Sequence, residues 1–158
     1  MIFQMYQFLR KAFFERSHEY PNVLKNSANV LVTDWADKIK MKEGFNLDSF
    51  IFSFYNTLTH AFSEIEGRFY SGGVLELTPS EFKKLPIPYT EITGERCRAF
   101  HIDFDSKSCI ENALNQNNFE TLFKSEGVTA ENIERIKIIR QKLFNKRFRK
   151  LEEPEIIL

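Results

Sequence analysis

The side chains that could run a reaction come first, and their spacing assembles no known couple. Serines are plentiful, but no Gly-x-Ser-x-Gly elbow presents one as a nucleophile. The three histidines, His18, His60 and His101, have no Cys or Ser partner at recognisable spacing. His60 falls in a strongly apolar run and is expected to be a hydrogen-bonded or semi-buried core residue, not a ligand. His101, Asp103 and Asp105 alternate as strand ligands of a metal would, but no further ligand has matching spacing. Cys97 and Cys109 stand 12 apart without a Cys-x-x-Cys, so zinc is not indicated and free thiols are expected. Glu64 and Glu66 are two apart on a helix and face different directions, so they make no acid–base pair. Glu64 is expected to face solvent or to anchor an N–H. Ser71-Gly72-Gly73 precedes a strand and lacks a following Gly-Lys-Ser/Thr, so it is no phosphate loop, and no dinucleotide fingerprint is present. No catalytic residue and no metal ligand is assigned.

One constellation survives. Arg68, Phe69 and Tyr70 stand beside the turn Ser71-Gly72-Gly73. Arginine can pair with guanine or phosphate, tyrosine can stack or hydrogen-bond, and glycine lets a backbone approach a ligand closely. The competing reading is a plain structural hairpin with Phe69 and Tyr70 in the core, and spacing alone favours it.

Charge offers a second lead. The chain carries 22 basic and 22 acidic residues, a net charge of zero, so nothing pulls it globally toward nucleic acid. The charge is nevertheless segregated, because residues 131–150 hold eight Lys/Arg against two Glu. Such a face is ordinarily a solvated one. The alternative is contact with a DNA backbone, for which Arg140, Lys146 and Arg147 are candidates.

These residues need elements to position them. Residues 2–16 read as a helix, stopped before Pro21. A second helix is expected over 23–40, with Leu24, Ala28, Leu31, Val32, Trp35 and Ile39 as its apolar stripe. Asp48 is the expected N-cap of a third helix, 49–66, whose Ile51, Phe54, Tyr55, Leu58, Ala61, Phe62 and Ile65 keep helical spacing. Gly67 stands where a C′ glycine ends a helix. The period then changes to two: Arg68–Tyr70 and Val74–Leu77 flank the glycine turn as a hairpin. Thr78-Pro79-Ser80-Glu81 is a capping box opening a short helix, and Leu85-Pro86-Ile87-Pro88 ends it. Residues 89–100 read as loop and 99–104 as a strand. Helices are expected at 108–116, 117–125 and 129–150, with Thr129 as a cap and Ile133, Ile136, Ile139, Leu143 and Phe144 buried.

The fold class is therefore α+β and mostly helical: a helical domain with a small glycine-turn hairpin and a long C-terminal helix. The expected organisation is residues 1–128 as the domain, with a basic helix and tail, 129–158, packed on it. The 17 Phe supply a real core. No signal-peptide pattern and no long apolar run exist, so a soluble cytoplasmic protein without membrane contact is expected.

The run from Ser53-Phe-Tyr-Asn-Thr-Leu-Thr through Gly67-Arg-Phe-Tyr-Ser-Gly-Gly-Val-Leu-Glu-Leu-Thr-Pro-Ser-Glu-Phe-Lys-Lys-Leu-Pro-Ile-Pro88 resembles the C-terminal region of adenine-specific (N6) DNA methyltransferases of restriction–modification systems. Its closing pattern is also similar to specificity subunits of type I systems. The resemblance covers about 40 residues and implies target recognition on double-stranded DNA through Arg68, Tyr70, Ser71, Gly72 and Gly73. Lys83 and Lys84 would be phosphate contacts, aided by the helix N-terminus. The family's Asn/Asp-Pro-Pro-Tyr/Phe motif and glycine-rich S-adenosylmethionine loop are missing from this chain. The resemblance thus implies that methylation and its cofactor belong to a catalytic domain or subunit outside these residues. The rival reading is a docking module with no DNA contact, in which the aromatic helix 49–66 and the stripe of 133–151 dock that subunit or a second copy, with Phe3, Phe8, Phe13 and Phe14 as further candidates.

Overall fold

The structure, a computed structural model, describes residues 12–15, 20–28, 36–70, 72–105 and 110–149. It opens with three strands, β1 (Ala12–Glu15), β2 (Asn22–Lys25) and β3 (Ala36–Ile39). They form one antiparallel sheet in the order β2-β1-β3, with Phe14 opposite Val23 on one side and Asp37 on the other. The helices expected over 2–16 and 23–40 are corrected wherever they can be compared. Ala12 and Phe14 are buried while Phe13 is only half-buried, which is the two-residue alternation of a strand. Phenylalanine-rich runs satisfy helical and strand templates alike, and the strand partner that decides between them is remote in sequence. Residues 2–11, 16–19 and 29–35, including Phe3, Phe8, His18 and Trp35, lie outside the described residues.

Two helices follow, α1 (Leu47–Phe54) and α2 (Thr57–Glu66), where one was expected. Asn46, not Asp48, caps α1: its side chain accepts from the N–H groups of Asp48 (2.8 Å) and Ser49 (3.1 Å). Asp48 instead pairs with Lys25 at 2.6 Å and ties the sheet to α1. Asn56 makes the break. Its buried amide accepts from Thr59 N–H (2.9 Å) and donates to Ser53 O (2.6 Å) and Thr59 Oγ1 (2.7 Å). A side chain offering the backbone such bonds ends one helix and caps the next. The reorientation explains why Ile51, Phe54, Tyr55 and Ala61 of the expected stripe are buried while Phe62 and Ile65 are exposed.

The core gathers around α1. Phe52, Phe54, Tyr55 and Leu114 are fully buried, with Phe14, Val23 and Phe100 against them. Phe14 stacks on Phe82 at 4.2 Å. The Tyr55 hydroxyl donates to Val23 O (3.1 Å) and accepts from Val23 N–H (3.2 Å), which joins the sheet to the aromatic core.

After α2 comes the hairpin of β4 (Arg68–Phe69) and β5 (Leu75–Glu76), then the four-residue helix α3 (Pro79–Phe82). Residues 94–105 form α4 (Gly94–Asp105), which corrects the expected loop at 89–100 and strand at 99–104. Thr93 starts it, accepting at Oγ1 from Arg96 N–H (3.3 Å), a cap hidden in a stretch that reads as loop. α5 (Ile110–Asn118), a π-helical turn at Phe119–Ser125 and α6 (Ala130–Arg149) are the last of the described elements. Gly127 separates the last two at φ +67°, and Thr129 caps α6 by accepting from Asn132 N–H at 3.3 Å, as its sequence predicts. In α6 Ile133 is buried and Ile136, Leu143 and Phe144 half-buried, whereas Ile139 is half-exposed. α6 packs along α2. The fold is a mostly helical α+β arrangement, and no described helix is long and apolar enough to cross a membrane.

Candidate nucleic-acid interface

The hairpin leaves α2 through Gly67. This residue has φ −75°, so it is no left-handed C′ glycine, contrary to expectation. It is glycine for space: a Cβ would lie 2.6 Å from Leu75 Cδ1 and 2.7 Å from Ser63 O. The strands pair Arg68 with Glu76 and Phe69 with Leu75. Tyr70 N–H donates to Val74 O (3.0 Å) and Gly73 N–H to Tyr70 O (3.1 Å). Gly72 and Gly73, at φ +87° and +73°, take backbone conformations that side-chain-bearing residues rarely adopt. Ser71, between them and Tyr70, lies outside the described residues.

Phe69 and Tyr70 are 43% and 53% exposed, so the reading that put them in the core does not hold. Arg68 is solvent-facing but aimed by Glu81, to which its Nε donates at 2.8 Å. That hydrogen bond and the Glu81 charge raise the already high pKa of Arg68. Glu81 is itself held by the capping box: its carboxylate accepts from Thr78 N–H (2.8 Å), and its own N–H donates to Thr78 Oγ1 (3.4 Å). The Thr78 N–H bond is the main reason that the Glu81 pKa is lowered.

The same box corrects the idea of a phosphate at this helix N-terminus. Glu81 already supplies the anion there, and Lys83 and Lys84 follow the helix. Lys84 pairs with Glu66 across the surface at 2.9 Å, which raises its pKa. Lys83 is exposed and lines a cleft of about 400 Å³ with Lys38, Lys40 and Lys42, a group that a helical reading of 23–40 obscures.

The basic helix divides. Lys146 is exposed. Arg140 is buried and ion-paired with Glu111. Arg147 is the deepest: its side chain is 1% exposed and that of its partner Glu64 4%. Nε donates to Glu64 Oε2 (2.9 Å) and Nη2 to Oε1 (2.8 Å), a bidentate pair 83 residues apart. A third donor, Nη1, reaches the carbonyl of Gly73. Arg147 therefore anchors the glycine turn to α2 and α6. Of the two readings of Glu64, the solvent-facing one is corrected and the N–H-anchoring one holds, with an anchored partner too remote in sequence to be named there.

His60 is buried among the rings of Phe54, Tyr55 and Tyr20. Neither ring nitrogen has a hydrogen-bond partner among the described residues, against the hydrogen-bonded histidine expected. Burial, with the Arg140 charge second, lowers its pKa to about 3, so it is neutral near pH 7 and has no phosphate-binding charge. Among the described residues no group of three or more His, Cys, Asp or Glu could hold a metal. The side chains of His101, Asp103 and Asp105, and Cys109, lie outside those residues. Cys97 is a free, half-buried thiol.

The arrangement is thus an exposed Arg68–Tyr70 edge on a turn braced from behind by Arg147 and from the side by Glu81. Residues 10–122 match the family described as type II methyltransferase M.Eco57I, C-terminal domain. That span includes the sheet, the hairpin and α3 to α5, and stops short of α6. No curated protein and no solved structure matches the chain.

Proposed function

Because this chain belongs to the family of type II methyltransferase M.Eco57I C-terminal domains, we propose that it recognises the target site of a restriction–modification methyltransferase. In this reading it holds double-stranded DNA while a separate catalytic domain or subunit methylates adenine. S-adenosylmethionine would supply the methyl group there. Among the described residues, the 400 Å³ cleft does not suit that cofactor, because its lysines disfavour a sulfonium.

The observation that carries the proposal is the braced, exposed hairpin. An interface that reads bases needs side chains that reach outward and a backbone that does not yield. Tyr70 and Arg68 reach outward, and Arg147, Glu81 and the two left-handed glycines fix the turn beneath them. Lys84 and Lys146 lie exposed on neighbouring helices or loops and would touch phosphates. Arg140 and Arg147 act from inside, as supports. Titrating duplex DNA at increasing salt tests this: affinity should fall with salt, with a slope of about −0.9 per phosphate neutralised. Absence of binding at low salt and high protein concentration would contradict it.

A second reading is favoured by one specific feature. Phe119 and Phe123 stack at 5.6 Å on the surface of the π-helical turn, and Ile138 and Ile139 of α6 are half-exposed. Exposed apolar side chains of this kind suit docking to the catalytic subunit. Of the residues offered for docking by sequence, Phe14 is in the core and Phe13 half-buried. Light scattering with and without the catalytic portion distinguishes docking from DNA contact.

A further inference from the structure

The cleft of about 400 Å³ lies between β3 with the segment after it and α3 with the chain after it. Its rim is uniformly cationic. Lys38, Lys40 and Lys42 come from one side, Lys83 from the other, and among the described residues no Asp or Glu lines it. Its wall is aromatic. Phe45 is half-exposed and meets the Tyr89 ring edge-on at 4.9 Å. The Tyr89 hydroxyl is fixed by accepting Asn46 N–H at 2.9 Å. Phe82 on the opposite wall is pinned between Phe14 (4.2 Å) and Phe54 (5.7 Å).

These features select a ligand that is anionic outside and flat and apolar inside. A base paired within a duplex shows only its edge, because its faces are covered by neighbouring bases. A rigid aromatic hollow therefore gains nothing from intact duplex. It gains from a base that has left the stack, whose flanking phosphates then meet the lysines. We propose that this cleft holds an unpaired nucleotide of a DNA strand, with its base against Phe45 and Tyr89 and its phosphates on Lys38, Lys40, Lys42 and Lys83. The proposal rests on the DNA-contacting reading above and adds to the hairpin a second site, specific for unstacked bases.

The test is fluorescence anisotropy of the full chain with two labelled duplexes, one fully paired and one with a single-nucleotide bulge. One stacked base should make the bulged duplex bind about 5- to 100-fold more tightly. Phe45→Ala should erase that preference and leave the paired duplex unaffected. A Lys38→Ala/Lys40→Ala double variant should weaken the bulged duplex and reduce its salt slope by about two. Circular dichroism checks that both variants, altered at exposed positions, remain folded. Equal binding of the two duplexes, or a preference that survives both variants, would overturn the cleft and leave the duplex reading standing. Displacement of the bulged duplex by micromolar adenosine triphosphate would also overturn it, by assigning the cleft to a free nucleotide. Failure to bind any DNA would sink both proposals together.

Discussion

Arg147 is the residue on which the hairpin depends. Its guanidinium satisfies Glu64 and Gly73 at once, in a site that excludes water. Removing one partner of a buried ion pair leaves a bare charge, at about 3–5 kcal/mol, whereas replacing both by apolar groups of similar volume is often close to neutral. Arg147→Met and Glu64→Leu are each expected to lose about that much in urea unfolding, and the double variant to recover most of it. Equal losses in single and double variants would show that the pair is not the source. His60 gives a second prediction at this scale. Its pKa is about 3 folded and about 6.5 unfolded, so between those values the unfolded chain binds the extra proton. Its contribution is complete above about pH 6.5 and is lost as pH falls toward 3, at about 1.4 kcal/mol per unit. A His60→Leu variant should flatten the wild-type stability profile between pH 6 and 4. An unchanged slope would place the acid sensitivity elsewhere. The burial of His60 is legible in its apolar run, but its unbonded ring and the Arg147 pairing are not. The Arg147 partner is 83 positions away, and the rings around His60 come from two segments, Tyr20 and Phe54-Tyr55.

At the scale of elements, the sequence was most legible where backbone geometry dictates residue type. The Gly72-Gly73 turn and the Thr78–Glu81 capping box are each written in one short stretch, and both form as read. Crowding by Leu75, not a positive φ, demands glycine at position 67, and the sequence alone shows no crowding. Gly67→Ala should therefore destabilise by about 1–3 kcal/mol through overpacking. Thr78→Ala should lose about 1 kcal/mol with its cap, while the Thr78 N–H that holds the Glu81 carboxylate, and with it Arg68, stays in place. Thermal unfolding measures both, and a neutral Gly67→Ala would contradict the crowding argument. The first sheet was illegible for a different reason. Its strands are four residues long, rich in residues that suit either period, and paired across gaps in sequence. The break at Asn56 is hidden in the sequence because an apolar stripe continues through it, while a single amide redirects the backbone. The π-helical turn at 119–125 likewise has the composition of an ordinary helix.

For the molecule as a whole, the net charge of zero means that any affinity for DNA must come from where cations are placed. Two of the basic residues in α6 are spent inside the protein, on Glu64 and Glu111. The cations that remain outward include Arg68, Lys84 and Lys146, and the lysines of the cleft. α6 lies beyond the span that defines the family, yet its Arg147 holds the glycine turn within that span. The most direct measurement is a salt-titrated binding isotherm on duplex DNA, for the wild type and for an Arg68→Ala/Tyr70→Ala variant. A log–log salt slope of about −2 to −4 is expected for the wild type. The variant, with its fold intact, should bind at least about tenfold more weakly. Identical isotherms for the two proteins, or no salt dependence, would contradict recognition through the hairpin.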